Sequence, residues 1–319
     1  MPESSPMERC LACGRSLEAG ETGYHARCAR PLFGSAVPPS LGFSMDDLNR
    51  LARDLVLSRS SVPGVQAKLS VHLERQRGAV PARLTLVGLE GGYILKLPSN
   101  VYPELPEAEH FCMMLARSCG IQTEDFGLVR LRPDSRAFLA RRLDRTPDGP
   151  LHMEDFCQLT EHLAEEKYRG SMEQVAKALR AYSSAPGLDA IRLYGLTLFC
   201  FLTGNSDMHL KNFSLLRRKD GTWDLSPAYD LVPVSLLLPS DPEELALSLN
   251  GKKNRLLPAD FRAFARSLGL TDIQREHAEE RLFKAFSEKF EPTLTVSFLS
   301  PGFQDRMRTL AAERLRRFG

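Results

Sequence analysis

The sequence lacks a long apolar run, a strong excess of one charge and a recognisable secretion signal. Its most apolar helical stretch, 196–202, is far shorter than the roughly 20 residues that span a bilayer. The formal net charge is only +2, which leaves no protein-wide field for a nucleic acid, so any polyanion contact needs a local patch. The opening letters MPESSPMERC contain no apolar core of a signal peptide. We therefore expect a cytoplasmic protein without a membrane partner.

Cysteine is scarce beyond the first thirty residues, and the seven cysteines in 319 residues, without a secretion signal, indicate reduced thiols. Cys10, Cys13, His25 and Cys28 form a C-x2-C…H-x2-C set within an N-terminal segment, 1–34. Two close pairs of this type suit tetrahedral Zn²⁺, which could fold a segment too small for its own core. The alternative is free thiols on a short docking arm. The remaining cysteines lie in apolar helical patterns typical of core packing: Cys112, Cys119, Cys157 and Cys200.

The periodicity changes along the chain from strands to helices. Residues 35–145 contain several short runs of alternating apolar and polar side chains and one helical pattern, which predicts a β-rich lobe. Residues 146–319 carry mostly helical patterns. A small β-rich lobe followed by a larger helical lobe predicts an α+β, two-lobed protein-kinase-like fold.

Two helix starts in the second part are indicated by capping residues. The stretch DAIRLYGLTLFCFLTG is apolar nearly all round, which predicts a central buried helix with Asp189 as its N-cap. Thr271 and Gln274 have the spacing of a capping box at the start of another helix.

Four polar residues have the order and spacing that phosphoryl transfer requires. The reaction needs a carboxylate to orient the acceptor hydroxyl, oxygen ligands for Mg²⁺, and a cation for the phosphates. Asp207 and Asn212 have the D-x4-N spacing of a kinase catalytic loop, directly after the apolar helix pattern. Asp230 follows two strand-like runs, where a further metal carboxylate is expected. Lys96 is a lone cation in an apolar strand pattern.

Each of these residues also has an ordinary structural explanation. A D-x4-N spacing often arises by chance. Lys96 could reach solvent from a sheet edge, and Asp230 could cap a turn. His209, two residues after Asp207, could polarise the transferred phosphoryl group or hydrogen-bond to hold the loop. The joint occurrence in this order favours the catalytic interpretation.

Several motifs together resemble the HipA family of serine/threonine protein kinases, which are toxins of bacterial toxin–antitoxin modules. The motifs are SVPGVQAKLSV, GGYILKLP, ELPEAEHF, HMEDFCQL, EEKY, GNSDMHLKNFSLL and LSPAYDLVP. The resemblance covers residues 55–319 and implies a kinase-like fold that uses ATP and Mg²⁺.

The resemblance also implies a role for individual residues. Asp207 would be the catalytic base, and Asn212 and Asp230 would ligate Mg²⁺. Lys96 would bind the α- and β-phosphates. The adenine hinge would be formed by the segment 139–141, which includes Leu139 and Arg141.

A loop with the pattern S-x-x-G-x-Q-x-K would cover the nucleotide phosphates, and it matches Ser61, Gly64, Gln66 and Lys68. In the family its serine is autophosphorylated, which displaces the loop and inactivates the kinase. A phosphate of about −1.5 to −2 charges beside a triphosphate would favour such displacement by repulsion. The residues alone also fit an ordinary turn before a strand. A neighbouring serine could be the acceptor instead: Ser58 or Ser60.

The chain departs from full-length HipA proteins, since it shows no trace of their extra N-terminal β-rich subdomain. In this respect it is similar to the shorter HipT type, whose missing subdomain is a separate small protein, HipS. Pro63 stands where some shorter relatives have a second serine, and Arg141 where many have glutamate.

The resemblance implies partners as well as chemistry. They are a HipB-like antitoxin that carries the DNA-binding function, a separate HipS-like small protein, and an aminoacyl-tRNA synthetase as substrate. DNA would be contacted only through the antitoxin. The alternatives are a small-molecule kinase on the same scaffold and a catalytically inactive regulatory or zinc-bearing scaffold.

Overall fold

The computed structural model describes residues 8–44, 46–48, 50, 66, 68–75, 82–87, 91–99, 101–102, 104–132, 135–146 and 148–319. The described residues divide into two compact units. The first unit lies within Met1–Phe111, Glu124–Arg142 and Thr295–Phe298. The second comprises Cys112–Thr123, Leu143–Leu294 and Leu299–Gly319. Across the described parts of both units, every helix is too short or too polar to cross a membrane.

Six strands among the described residues of the first unit form one sheet, in the order β1-β3-β2-β4-β6-β5. The strands are β1 (Ser40–Leu41), β2 (Lys68–Glu74), β3 (Arg83–Leu86), β4 (Tyr93–Lys96), β5 (Phe126–Arg132) and β6 (Ser135–Arg141). Neighbouring strands are antiparallel except β1 and β3. In β2 the alternating pattern buries Leu69 and Val71 while Lys68 stays exposed. The β2–β4 register places Lys68 directly opposite Lys96.

The N-terminal segment packs on this sheet through a short helix, Ala26–Phe33. Tyr93 in β4 donates from its hydroxyl to the carbonyl of Leu32 at 2.8 Å. The Tyr24 hydroxyl donates to the carbonyl of Leu128 in β5. Phe33 is 3% exposed, and its ring meets that of Tyr24 edge-on at 5.2 Å. The segment is therefore part of the first unit's core.

The second unit is mostly helical. Its longer helices are Met172–Tyr182, Pro186–Thr203, Pro258–Ser267, Asp272–Thr295 and Pro301–Arg316, and the shorter ones are Phe156–Leu159 and Val234–Leu237. Three strands pair in the order β11-β10-β9: β9 (Met153–Asp155), β10 (Ser214–Arg217) and β11 (Trp223–Leu225). A two-stranded hairpin consists of β7 (Arg145–Thr146) and β8 (Gly149–Pro150). A further helix, Leu105–Ser118, begins in the first unit.

The central helix, Pro186–Thr203, is buried over most of its length, which confirms that prediction. The predicted cap is wrong, because the helix begins three residues before Asp189 with proline at its first position. Proline suits that position, where no N–H partner is needed. Asp189 instead lies buried in the first turn and accepts from the N–H of Leu225 at 2.8 Å.

The capping box of the next long helix is confirmed. The Thr271 N–H donates to Oε1 of Gln274 at 2.9 Å, and the Gln274 N–H donates to Oγ1 of Thr271 at 3.2 Å. Both residues satisfy N–H groups that the first helical turn leaves without an internal partner.

Candidate functional site

Lys96 ends β4, a central strand of the first unit's sheet, and is only 4% exposed. Its Nζ atom donates to the carboxylate of Glu109, which is 0% exposed on the helix Leu105–Ser118. The ammonium also lies 5.3 Å from the ring centre of Phe138. A buried charge is tolerated only when it is paired and hydrogen-bonded. This buried lysine–glutamate pair has the chemistry of the strand-lysine and helix-glutamate pair of protein kinases.

Two residues of the predicted phosphate-covering loop lie in the described part of the chain. Gln66 donates from Nε2 to the carbonyl of Leu97, one residue past β4, at 2.7 Å. Lys68 is exposed at the start of β2. Ser61 and Gly64 lie outside the described residues, so their predicted roles are untested by the structure. The same holds for two other serines: Ser58 and Ser60.

The predicted hinge residues end β6. Leu139 is fully buried and pairs with Leu95 in β4. The N–H of Arg141 donates to the carbonyl of Asp125 at 2.8 Å, and its guanidinium donates to the carbonyl of Pro31 at 3.0 Å. An adenine at this segment would therefore have to use main-chain groups other than the Arg141 N–H.

The predicted catalytic loop follows the central helix of the second unit. Gly204 ends that helix in the left-handed region at φ 70°. The Asp207 N–H donates to Oδ1 of Asn205 at 3.2 Å. Asn212, at the end of a 3-10 turn, donates from Nδ2 to the carbonyl of Asp207 at 2.9 Å. The loop is thus closed by hydrogen bonds of its own residues, which fixes the spacing between Asp207 and Asn212.

The Asp207 carboxylate is held by a tyrosine from an earlier segment. The Tyr168 hydroxyl donates to Oδ1 of Asp207 at 2.5 Å. Burial raises the pKa of Tyr168, and the hydrogen bond to Asp207 with the negative charges of Asp230 and Asp241 raises it further. The phenol therefore stays protonated and donates. His209 is buried and meets the Tyr168 ring edge-on at 5.0 Å, so its ring packs against the residue that holds Asp207.

Asp230 lies in the loop after β11 with φ 58°, a left-handed conformation that only a few residue types other than glycine adopt readily. Hydrogen bonds at Ala228 and Tyr229 hold this loop. The Ala228 N–H donates to the carbonyl of Gln122 at 2.7 Å. The Tyr229 hydroxyl donates to the carbonyl of Lys211 at 2.9 Å, which ties the Asp230 loop to the catalytic loop. The second unit thus holds both predicted metal-ligating loops together.

Comparison with known proteins identifies the family to which the chain belongs. The family model described as HipA-like C-terminal domain matches residues 60–291, more than half of the chain. The chain belongs to this family. The resemblance that the sequence motifs indicate is therefore confirmed.

Relatives of this HipA-like chain differ in how much of their length it spans. "Putative kinase Y4dM" of Sinorhizobium fredii is 35% identical over 189 residues, which cover 54% of this chain and 45% of that protein. A "Putative kinase" of Haemophilus influenzae is 26% identical over 285 residues, covering 78% of this chain and 81% of the relative. The chain thus spans less than half of Y4dM but most of the Haemophilus protein.

Two solved structures share the fold. HipA of Shewanella oneidensis, solved with HipB and its operator DNA, has a TM-score of 0.68 at 24% identity, over 81% of this chain and 65% of that one. The proinflammatory kinase CtkA of Helicobacter pylori has a TM-score of 0.54 at 16% identity, over 70% and 86%. These matches confirm the predicted α+β, two-lobed, kinase-like fold.

Outside the span that the family model matches, this HipA-like chain carries the Cys/His cluster, defined as Cys10, Cys13, His25 and Cys28. Its four ligand atoms lie within 4.8 Å of one another. Hydrogen bonds from the Cys13 and Cys28 thiols lower the pKa of Cys10. The His25 N–H also donates to Sγ of Cys10 at 3.4 Å. The structure thus brings together all four residues that the sequence pattern singles out.

Sequence reasoning missed Glu109 and Tyr168. The signal for Glu109 was its place on the first helix after the strand lysine, where kinases carry the glutamate partner. The signal for Tyr168 was weaker, because its distance of 39 residues from Asp207 is not a recognised spacing.

Proposed function

We propose that this HipA-like chain is an ATP- and Mg²⁺-dependent serine/threonine protein kinase and the toxin of a bacterial toxin–antitoxin system. The observation that carries the proposal is that each unit holds residues in an arrangement suited to phosphoryl transfer. The first unit has the buried Lys96–Glu109 pair, and the second has the ordered loop from Asp207 to Asn212.

The residues of the catalytic loop suit proton transfer from a serine or threonine hydroxyl. Asp207 would accept the proton, and the Tyr168 hydrogen bond keeps its carboxylate in one orientation. His209 would act through Tyr168, whose ring it contacts. Two roles are predicted for His209: polarising the transferred phosphoryl group, and holding the loop. Its packing against Tyr168 favours the second role.

Mg·ATP, when bound, would supply the transferable phosphoryl group and the metal charge that stabilises its transfer. The residues fit this group. Glu109 fixes the ammonium group of Lys96, which would bind the α- and β-phosphates. Lys68 and Gln66 would belong to the loop that covers these phosphates. Asn212 already uses its amide N–H, so its amide oxygen is suited to Mg²⁺, with the Asp230 carboxylate as the second ligand. Adenine would bind at the hinge segment 139–141.

Regulation by autophosphorylation follows the family resemblance. Ser61 would accept the phosphate, and the added charge would displace its loop. Gly64 would let the same loop approach the phosphates closely.

The partners proposed are a HipB-like antitoxin, a separate HipS-like small protein, and an aminoacyl-tRNA synthetase as substrate. The Shewanella HipA structure supports the first of these, since that protein was solved with HipB and operator DNA. DNA contact would occur only through the antitoxin. For the Cys/His cluster we propose Zn²⁺ as the cofactor, because its donor atoms converge.

The test is transfer of label from [γ-³²P]ATP with Mg²⁺ to the purified chain and to added synthetases. Wild type should label itself, and Asp207→Asn should lower the rate about 10²- to 10⁴-fold, as expected for loss of a general base. Asp148→Asn is the matched control, because that carboxylate is exposed. Ser61→Ala should lose the self-label.

Other outcomes separate the alternatives. Equal labelling of wild type and Asp207→Asn would end the kinase assignment. Label that persists in Ser61→Ala would move the acceptor to Ser58 or Ser60. Transfer to a metabolite but to no protein would identify a small-molecule kinase, and ATP binding without transfer would identify an inactive scaffold.

A further inference from the structure

The Cys/His cluster has the geometry and the outer hydrogen bonds of a structural zinc site. Bonds of about 2.3 Å to sulfur and 2.0 Å to nitrogen in a tetrahedron place ligand atoms roughly 3.5–3.8 Å apart. Nδ1 of His25 lies 3.4 Å from Sγ of Cys13 and 3.9 Å from Sγ of Cys28. Nε2 of His25 donates to the carbonyl of Ser16 at 2.9 Å. This leaves Nδ1 as the ligand atom, in the arrangement usual for metal-bound histidine.

The loop that carries Cys10 and Cys13 also supports the helix Leu105–Ser118. The Ala12 carbonyl of this loop accepts a hydrogen bond from Nε2 of His110 at 3.0 Å. His110 is 0% exposed, so a displaced loop would take a hydrogen-bond acceptor away from a buried polar group, which is costly. The position of the loop is therefore coupled to the position of the helix.

His110 is the residue next to Glu109. Its ring meets the ring of Phe126 edge-on at 5.6 Å. Because one helical turn is rigid, contacts that fix His110 also fix the rotation and height of the helix at Glu109. Glu109 in turn holds Lys96 by a buried hydrogen bond.

A second contact reaches His110 through the segment 295–298. Gly14, directly after Cys13, has φ 70°, and a Cβ there would lie 1.9 Å from the carbonyl oxygen of Val296. Arg9 donates to the carbonyl of Ser297 at 3.0 Å and lies 4.4 Å from the ring centre of Phe298. The Phe298 ring packs against His110 at 5.8 Å. The loop that carries Cys10 and Cys13 thus supports His110 in two ways, by its own hydrogen bond and through the segment 295–298.

We propose that the Cys/His cluster binds one Zn²⁺ and that the metal-bound loop, through its hydrogen bond to His110, holds Glu109 in its pair with Lys96. Binding would release the thiol protons to solvent and leave thiolates and a neutral imidazole around the metal. The inference rests on the proposed kinase function, because the lysine–glutamate pair is where it would affect catalysis. Kinase activity would then depend on zinc, although zinc takes no part in phosphoryl transfer.

Metal content tests the first half of the proposal. The chain of 319 residues, purified without a histidine tag, should contain about one zinc ion per molecule by mass spectrometry. Cys13→Ser should lose most of it. Cys157→Ser is the matched control, because Cys157 lies in the second unit, where a serine hydroxyl could still donate to the carbonyls of His162 and Leu163. Wild-type protein that holds no zinc when zinc is supplied would overturn the metal assignment.

Hydrogen exchange tests the coupling without relying on activity. Amides of the helix Leu105–Ser118 should exchange about tenfold faster after zinc is removed by a chelator, the scale of one lost buried hydrogen bond. His110→Phe keeps the metal ligands and an aromatic ring but removes the donor to Ala12. This variant should keep its zinc and still show the faster exchange. The helix Met172–Tyr182 of the second unit should exchange at an unchanged rate.

The two parts of the proposal fail separately. Bound zinc with unchanged exchange in Leu105–Ser118 after its removal would overturn the coupling. In an active wild type, zinc removal and His110→Phe should each lower kcat/KM for Mg·ATP about tenfold, and an unchanged value would also overturn it. A wild type without phosphotransfer would defeat the proposed function, while metal content and exchange would still decide this inference.

Discussion

At the scale of single residues, Tyr168 constrains the carboxylate of Asp207 directly. Its hydroxyl donates to the carboxylate at 2.5 Å. Its ring has two neighbours: Nζ of Lys167 lies 4.9 Å from the ring centre, and the His209 ring meets it edge-on. The carbonyl of Lys167 also accepts from the N–H of Leu210 at 3.1 Å, so this segment is fastened to the catalytic loop. Tyr168 is therefore placed to act as a positioning residue.

Tyr168→Phe should lower kcat for phosphate transfer about three- to tenfold, the scale of one typical net hydrogen bond, because Tyr168 is 42% exposed and water competes for the contact. The KM for ATP should stay the same, because the phenylalanine ring retains the contact with His209. Tyr182→Phe is the control, since Tyr182 is 53% exposed at the end of another helix. Steady-state kinetics of both variants would check this. A faster Tyr168→Phe enzyme would mean that the phenol blocks the acceptor instead.

The glutamates of ELPEAEHF show what residue patterns can and cannot predict. Lys96 was recognisable because a cation inside an apolar strand pattern is rare. Its partner was not, because Glu104, Glu107 and Glu109 all fit the start of a helix. Tertiary packing separates them: Glu107 pairs with Arg136 at 3.3 Å, while Glu109 is fully buried against Lys96.

At the scale of elements, the end of the central helix determines where the catalytic loop begins. Gly204 has φ 70° there, and a Cβ would lie 2.1 Å from Oγ of Ser235. The N–H of Ser235 also donates to the carbonyl of Gly204 at 3.0 Å. The chain can turn into the loop at this point because the residue has no side chain.

Gly204→Ala should lower the free energy of unfolding by about 2–3 kcal/mol, from left-handed strain and the clash with Ser235. Gly195→Ala in the same helix is the matched control. Apart from its chain neighbours and the backbone of its own helix, no described atom lies within 4 Å of a Cβ built there, so alanine should be neutral or stabilise by up to about 1 kcal/mol. Urea denaturation of both variants would measure the difference. Equal stabilities would contradict the role given to Gly204.

One of the two predicted helix starts is confirmed and the other is wrong, because only one of them depends on local contacts alone. The capping box at Thr271 involves residues three apart, and local chemistry determines it. The carboxylate of Asp189 has equally good capping chemistry, but it accepts a hydrogen bond from the Leu225 N–H of β11 instead. Pro186 begins that helix instead. A hydrogen-bond partner from a strand that is distant in sequence cannot be predicted from the local sequence pattern.

At the scale of the whole molecule, the N-terminal segment is part of the first unit. Phe33→Ala should therefore cost about 3–5 kcal/mol of stability, because it removes a buried aromatic side chain. Val37→Ala, at a position 57% exposed four residues later, should change stability by less than about 0.5 kcal/mol. Thermal unfolding would compare them. Similar melting temperatures for the two variants would show that the segment is only loosely attached.

The kinase-like plan of the whole chain was predictable because strand and helix periods occupy different stretches of sequence. The assignment of Thr295–Phe298 to the first unit was not. The hydrogen bond from Arg9 to Ser297 joins residues 288 positions apart. Sequence periodicity cannot predict a contact over such a separation. The convergence of Cys10, Cys13, His25 and Cys28 was indicated by spacing alone, because short loops bring such pairs together.

The register of β2 against β4 places two lysines opposite each other, Lys68 and Lys96. Like charges at directly opposed positions disfavour the pairing of antiparallel strands. Within this pair of positions, the carboxylate of Glu109 compensates the charge of Lys96. An anion lying across both ammonium groups would add a bridge between the two strands, so we expect the pairing of β2 with β4 to tighten when such an anion binds.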